Sequence, residues 1–246
     1  MPPPARVSIL MPCYQLAGAI AASLDRVVAA TAAEAGVEVV VADDGSTDGT
    51  LAAARAAASR HPGVVVVANP QNEGKGRALQ RAFAVSTGEI VVFLDGDLDL
   101  PPEQVPALVA RLRSGGEDAL LGAKRAALVP GGYPRARRVL SRLFSAVARL
   151  AFRLPVAETQ TGLKAFRREA LEATLPQVRI RRYTFDLELV VRLDRAGYRL
   201  GEFPVTLDLQ ASGSRVTLRA VAQMARDTAL LWFRSLAWRR RPPGSG

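Results

Sequence analysis

The sequence predicts an α/β fold: a mostly parallel sheet flanked by helices, with amphipathic helices appended. Three observations predict it. Short apolar runs recur through the first 125 residues, each separated from the next by a helix-length segment. Those runs are apolar at nearly every position, as strands buried on both faces are, and do not alternate with polar residues. Polar, glycine-rich loops follow the runs, which gathers them on one rim, at the carboxyl ends where such sheets bind ligands.

The elements follow in order. Val7–Met11 is the first strand, and an alanine-rich helix runs from about Gly18 to Ala35. Glu38–Ala42 is the second strand, followed by a polar loop and a helix to about Arg60. Val64–Ala68, the helix Gly76–Ser86, the strand Ile90–Leu94, a helix from Pro102 to Arg113 and the strand Ala119–Gly122 complete the first half. The second half opens with a basic helix over about 135–154 and a strand Leu163–Arg167. Helices Glu169–Leu175 and Phe185–Ala196, a strand Leu200–Leu207, a loop at Ser212–Ser214 and a terminal helix from about Thr217 to Arg239 follow. With no internal repeat and no low-complexity linker, the economical division is one domain over 1–216 and a C-terminal amphipathic helix and basic tail over 217–246.

Composition excludes several classes of chemistry. A length of 246 residues, 49% hydrophobic and 23% charged, suits a globular chain with a sizeable core. One cysteine, Cys13, rules out a disulfide framework and a cysteine metal cluster. The sole histidine, His61, precedes Pro62 and reads as a loop position. Carboxylates, lysines, arginines and backbone are left to carry catalysis. Met1 to Arg6 has no apolar run, and no stretch reaches the roughly 18 apolar residues of a membrane span. The expectation is a cytoplasmic protein, soluble or peripheral on the inner face of the membrane.

The net charge of +10 is local. Between Ala119 and Ala157 there is no acid but eight basic residues, Lys124, Arg125, Arg135, Arg137, Arg138, Arg142, Arg149 and Arg153. After Asp227 the tail has no acid and carries Arg234, Arg239, Arg240 and Arg241. This points to an anionic partner at one place. Only three lysines occur, Lys75, Lys124 and Lys164, each in a loop-like or strand-end segment. Either a compact ammonium is wanted there or they survive by chance in an arginine-rich composition.

Three loops carry the chemistry. Phe93-Leu94-Asp95-Gly96-Asp97-Leu98-Asp99 follows an apolar strand. Carboxylates at i and i+2 of an extended chain project to one side. Two oxygens there suit a hard divalent cation whose shell is completed by substrate phosphates, and a solvated acidic turn is the bland alternative. Asp43-Asp44-Gly45-Ser46-Thr47-Asp48-Gly49-Thr50 offers carboxylates for a nucleobase edge or ribose, and helix caps. Asn69 to Arg77, with Gly74-Lys75-Gly76, puts a cation and backbone amides at a helix N-terminus, which suits an anion.

In this order and spacing the three loops closely resemble the family-2 glycosyltransferases of the GT-A (Rossmann-like) fold. Ser8 to Tyr14 resembles that family's first strand and donor loop. Thr159-Gln160-Thr161-Gly162-Leu163-Lys164-Ala165-Phe166, Phe185-Asp186-Leu187-Glu188-Leu189 and Ser212 to Val216 resemble its polyprenyl-phosphate branch, the dolichyl-phosphate glucose and mannose synthases. The resemblance spans about Val7 to Val216. It implies an inverting, metal-dependent hexosyltransferase. Asp95 and Asp97 would hold Mg²⁺ or Mn²⁺ against the donor diphosphate, with Asp99 a further metal ligand. Pro12, Tyr14, Asp43 and Asp44 would frame the nucleoside with Lys75 beside it. Gln160, Lys164 and Asp186 would reach the sugar or acceptor side, so that Asp97, Asp186 and Lys164 form the catalytic set. The Gln-Thr-Gly-Leu-Lys form is nearer the glucose synthases, which favours UDP-glucose over GDP-mannose.

The basic helix bears on the acceptor. Arg135, Arg138, Arg142, Arg149 and Arg153 fall within about 60° of arc at 3.6 residues per turn. Leu140, Leu143, Val147, Leu150 and Leu154 lie on a separate face. Such a helix suits an anionic headgroup layer, or else packs its leucines on the sheet. A phosphate monoester, with its second pKa near 6, is a nucleophile that needs cations rather than a base. Lys124, Arg125, Arg135 and Arg138 are therefore the expected contacts of a polyprenyl phosphate. The alternatives are transfer to a sugar or glycolipid hydroxyl with Asp186 as base, and nucleic-acid binding prompted by the pI of 10.8. Three acidic loops on one rim and few aromatics in the basic segments argue against nucleic acid.

Overall fold

The computed structural model describes residues 6–124, 135–207 and 218–238. Seven strands form one sheet in the order β3-β2-β1-β4-β6-β5-β7. They are β1 (Val7–Cys13), β2 (Val37–Asp43), β3 (Val64–Ala68), β4 (Ile90–Leu94), β5 (Ala119–Lys124), β6 (Leu163–Arg167) and β7 (Leu200–Val205). The first four are parallel, as their apolar runs predict. β6 inserts antiparallel between β4 and β5, so β5 neighbours β6 and β7 and does not extend the first four directly.

Among the described residues the sheet is accompanied by eight α-helices: α1 (Ile20–Ala30), α2 (Thr50–Ala58), α3 (Lys75–Val85), α4 (Val105–Ser114), α5 (Arg135–Phe152), α6 (Arg168–Thr174), α7 (Phe185–Ala196) and α8 (Leu218–Ser235). α1 ends at Ala30, and the following Thr31 donates both its amide and its hydroxyl to the Val27 carbonyl. The period of two along each strand sorts the core into two layers. Ile9, Met11, Val39, Val41, Val92 and Leu94 meet α1, α2 and α4. Leu10, Val40, Val91, Phe93 and Phe166 meet α3, α6 and α7 on the other face. Burial on both faces is why these strands read as continuous apolar runs.

α5 and α8 lie beside one another. Among the described side chains of α5, Ala148 and Phe152 are buried, whereas Val147 is 49% and Leu150 77% exposed. Of the leucine face read from the sequence, Val147 and Leu150 are thus exposed, while Leu154, just past the helix, is buried. Arg153 has left the helix at φ 55°. The side chains of residues 135–143 and the segments 125–134, 208–217 and 239–246 lie outside the described residues, and with them Arg125, the contacts of Arg135 and Arg138, the Ser212–Ser214 loop and the Arg239–Arg241 cluster.

Candidate active site

The carboxyl ends of β1, β2 and β4 and the start of α3 enclose a cleft of about 210 Å³. Pro12, Cys13, Tyr14, Leu16, Asp44, Lys75, Asp95, Gly96 and Asp97 line it. Of the donor residues expected from sequence, five (Pro12, Tyr14, Asp44, Lys75 and Asp95) are brought together here.

The β1–α1 loop is stitched to the loop after β2. The Gln15 amide donates to Ser46 Oγ at 2.9 Å, Leu16 N–H to Thr50 Oγ1 at 2.7 Å and Ala17 N–H to Asp48 Oδ2 at 3.1 Å. Asp48 also accepts the Thr50 N–H at the start of α2. The neighbouring aspartates divide their work. Asp44 accepts from Asn69 Nδ2 at 2.7 Å and from the Glu73 and Gly74 amides at 2.9 and 2.8 Å, and so fixes the β3–α3 loop. Asp43, 1% exposed, takes the Ser46 amide on Oδ2, while its Oδ1 is buried without a hydrogen-bond partner among the described residues. An unpartnered buried acceptor calls for a donor from elsewhere.

The glycines of the third loop serve packing and not an anion. Gly74, at φ 104°, has a methyl's space filled by the Arg181 carbonyl, and Gly76 has it filled by the Phe185 ring. The Gly74 amide is taken by Asp44 and the Gly76 amide by the Arg181 carbonyl. The helix start is therefore not the open anion site its sequence suggests, and Lys75 is what it delivers to the cleft.

The acidic loop also differs from expectation. β4 ends at Leu94, and Asp95-Gly96-Asp97 is a turn closed by the Leu98 amide on the Asp95 carbonyl. Leu98 is buried at φ 52°, a strained left-handed conformation for a leucine. Turn geometry, not strand alternation, presents the two carboxylates. Among the described residues no three His, Cys, Asp or Glu form a metal cage by themselves. Lost hydration, then the Asp95 and Asp99 charges, push the Asp97 carboxyl up to about 6. Crowded carboxylates of this kind suit a hard cation that draws its remaining ligands from a diphosphate. The donor set fits Mg²⁺ or Mn²⁺ through Asp95 and Asp97.

Below the turn runs a chain of alternating charges. Lys75 Nζ lies 2.6 Å from Asp95 Oδ1 and 3.6 Å from Asp186 Oδ2. Lys164 Nζ lies 2.7 Å from Asp186 Oδ1 and also donates to the Thr161 carbonyl. Burial works against every charge here, but Lys164 and Lys75 outweigh it and hold Asp186 below the ordinary carboxylate pKa. Asp186 and Asp95 likewise hold the Lys75 ammonium above the usual lysine value. Gln160 Nε2 donates to the Tyr183 carbonyl, and Lys124 is exposed at the end of β5.

Sequence reasoning gave no role to Gly162. A methyl there would overlap Asp95 Oδ2, so the glycine makes room for the carboxylate; its place just before the β6 lysine was the available signal. Glu188 belongs elsewhere: it accepts the Arg179 and Ile180 amides and pairs with Arg192 at 2.7 Å. His61 is equally structural, 2.6 Å from Asp25.

Residues 8–175 match the model of the family described as Glycosyl transferase family 2. The chain belongs to that family. Among its relatives, glycosyltransferase AglD of Haloferax volcanii is 32% identical over 92% of this chain and 37% of its own length. Dolichyl-phosphate beta-glucosyltransferase ALG5C of Trichomonas vaginalis is 28% identical, over 82% of this chain and 62% of its own length. Undecaprenyl-phosphate mannosyltransferase of Micrococcus luteus is 30% identical over 82% of this chain and 84% of its own length. The chain thus spans about a third and three fifths of the first two. In structure, glucosyl-3-phosphoglycerate synthase of Mycobacterium tuberculosis, solved with Mn²⁺, UDP and phosphoglyceric acid, superposes with a TM-score of 0.71. That match covers 98% of this chain and 81% of the other at 24% identity, and it establishes the shared GT-A fold. Within glycosyl transferase family 2, the chain is thus similar to proteins named for sugar transfer to polyprenyl phosphates.

Proposed function

We propose that the chain transfers a hexose with inversion from a nucleotide-sugar, UDP-glucose ahead of GDP-mannose, to a polyprenyl phosphate at a membrane surface. The observation that carries this reading is Asp186 held between two ammonium groups. It is the carboxylate nearest the acceptor side, and lysines that stabilise its charged form make it a poor base. A hydroxyl acceptor, the runner-up, needs a base. A phosphate acceptor does not: its oxygen forms the bond to the sugar's anomeric carbon as the bond to the departing nucleoside diphosphate breaks, with no proton to remove.

Asp95 and Asp97 would hold the divalent ion, which neutralises charge on the leaving diphosphate. Pro12, Tyr14 and the unpartnered Asp43 Oδ1 would frame the nucleoside, and Lys75 would face the diphosphate. Lys124, Arg125, Arg135 and Arg138 would meet the acceptor phosphate. The names of two relatives, a dolichyl-phosphate glucosyltransferase and an undecaprenyl-phosphate mannosyltransferase, support the lipid acceptor. The exposed Val147 and Leu150 of α5, beside Trp232, Phe233 and Leu236 near the end of α8, support a membrane-facing surface. Among the described residues no helix is long and apolar enough to cross a membrane.

The test offers radiolabelled UDP-glucose and GDP-mannose with polyprenyl phosphate in vesicles, with Mg²⁺ or Mn²⁺. The expected product is a lipid-linked hexose released by mild acid. Label appearing only in an acid-stable glycoside would overturn the phosphate acceptor in favour of a hydroxyl.

A further inference from the structure

Asp95 Oδ1 is already committed to Lys75 at 2.6 Å, and Lys75 has a second carboxylate within reach, Asp186 Oδ2 at 3.6 Å. Asp186 is 6% exposed and keeps its place through Lys164, which is fully buried and also anchored on the Thr161 carbonyl. A divalent ion bound through Asp95 competes with that ammonium, which has a second carboxylate one short swing away. We propose that Lys75 is an exchangeable counter-ion: it neutralises Asp95 until the metal–diphosphate arrives, then passes to Asp186 and to the diphosphate edge. The exchange rests on the metal-binding reading of Asp95 and Asp97.

The physical case is electrostatic. Two carboxylates and a buried third, without a compensating charge, would oppose one another in a site of lowered dielectric. Lys75 supplies that charge to Asp95, and Lys164 supplies it to Asp186. When a divalent cation takes over at Asp95, the ammonium that remains there is repelled by it. Asp186, whose Oδ1 is held by Lys164 while Oδ2 faces Lys75, is the nearest partner. Lys164 is a positioning residue in this scheme: it holds the receiving carboxylate and touches neither sugar nor metal.

The three lysines make the exchange directly observable. Protein labelled with ¹³C at lysine Cε gives one signal each for Lys75, Lys124 and Lys164, assigned by Lys→Arg variants. Mg²⁺ with UDP is expected to move the Lys75 and Lys164 signals by more than a linewidth, leaving Lys124 in place. UDP in EDTA is expected to move neither, and Asp186→Asn to abolish the Lys164 response. The exchange is overturned if Mg²⁺·UDP binds calorimetrically while Lys75 and Lys164 stay still, or if UDP in EDTA moves both equally. Calorimetry on Asp95→Asn separates the two claims. If metal-dependent UDP binding survives that change, the metal reading itself falls; if it is lost while the lysine signals of the unsubstituted protein never moved, only the exchange falls.

Discussion

Lys164 Nζ and Asp186 Oδ1 meet at 2.7 Å under the cleft, and both side chains are buried. A buried ion pair is weak evidence for stability, since desolvating two charges offsets much of their attraction. Its members are nonetheless bound to one another's presence. Removing one leaves the other's buried charge without its closest partner.

Lys164→Met is therefore expected to cost about 3–5 kcal/mol of folding stability, the range for breaking a buried pair. Urea unfolding measures it. The double variant Lys164→Met, Asp186→Leu is expected to recover most of that stability and no activity. A double variant as unstable as the single would mean that packing, and not the orphaned charge, sets the cost.

Gly162→Ala is a sharper probe of the site. The new methyl overlaps the end of the Asp95 side chain, which can rotate, so unfolding is expected to change by no more than about 1 kcal/mol. Asp95, however, leaves its position. Turnover and Mn²⁺ affinity are each expected to fall by about tenfold or more, since a carboxylate moved off its geometry no longer serves as a ligand. Full activity in this variant would remove Asp95 from the metal site.

The chelation test addresses the ion itself. Excess EDTA is expected to abolish turnover, and Asp97→Ala to do the same with an unchanged unfolding midpoint, because a lost metal ligand costs several kcal/mol of transition-state stabilisation. Restoration by Mn²⁺ or Mg²⁺ completes the test. Undiminished turnover in EDTA would exclude the metal.

Much of this site was legible in the sequence, and the remainder failed for identifiable reasons. The four parallel strands announced themselves because burial on both faces leaves no polar alternation in Val39–Ala42 or Ile90–Leu94. Their carboxyl-end loops then had to share a rim. The antiparallel place of β6 was not legible, because pairing partners leave no mark on a strand as short as Leu163–Arg167. The roles of Gly74 and Gly76 were misread for a similar reason. Both read as room for a ligand, while the Arg181 carbonyl and the Phe185 ring, more than 100 residues away, fill that room. Asp95 and Asp97 were found by spacing, yet presented by a turn around Leu98 that spacing does not encode.

Cys13 supplies a test of how closed the cleft wall is. Burial first, then the Asp43, Asp48 and Asp44 charges, push its thiol up to about 12. Since the thiolate is the reactive form, only about one molecule in 10,000 is ionised at pH 8. Iodoacetamide at pH 8 is expected to label the native chain roughly a thousandfold more slowly than the urea-unfolded chain. Raising the pH from 8 to 10 is expected to speed native labelling about tenfold per unit, because the whole range lies below the thiol's pKa. Native labelling at the unfolded rate would mean that the β1 end opens readily.

The proposed membrane-facing surface can be tested at the outer faces of α5 and α8. Near the end of α8 the two tryptophans differ. Trp232 is 37% and Phe233 65% exposed, with Leu236 at 65%, whereas Trp238 lies on α7 with the Arg192 guanidinium 4.1 Å over its ring. Trp238 thus serves the fold and only Trp232 of the pair is free to meet a membrane interface, where indole rings sit at headgroup level. Deleting everything after Asp227 would also strip Leu231, buried at 1% exposure, so loss of binding could follow from unfolding. Point changes at the outer face avoid this. Leu150→Ser, Phe233→Ser and Leu236→Ser together remove exposed apolar surface from both helices at positions with little buried area to lose. Each such side chain inserted in an interface contributes on the order of 1–2 kcal/mol, so the triple variant is expected to pellet at least tenfold less with anionic liposomes. Its unfolding midpoint is expected to hold, and turnover on a long-chain lipid acceptor to fall more than turnover on a short soluble one. Equal pelleting of the variant and the unsubstituted protein at low salt would place the attachment elsewhere, and absence of pelleting by either would end the membrane-surface reading.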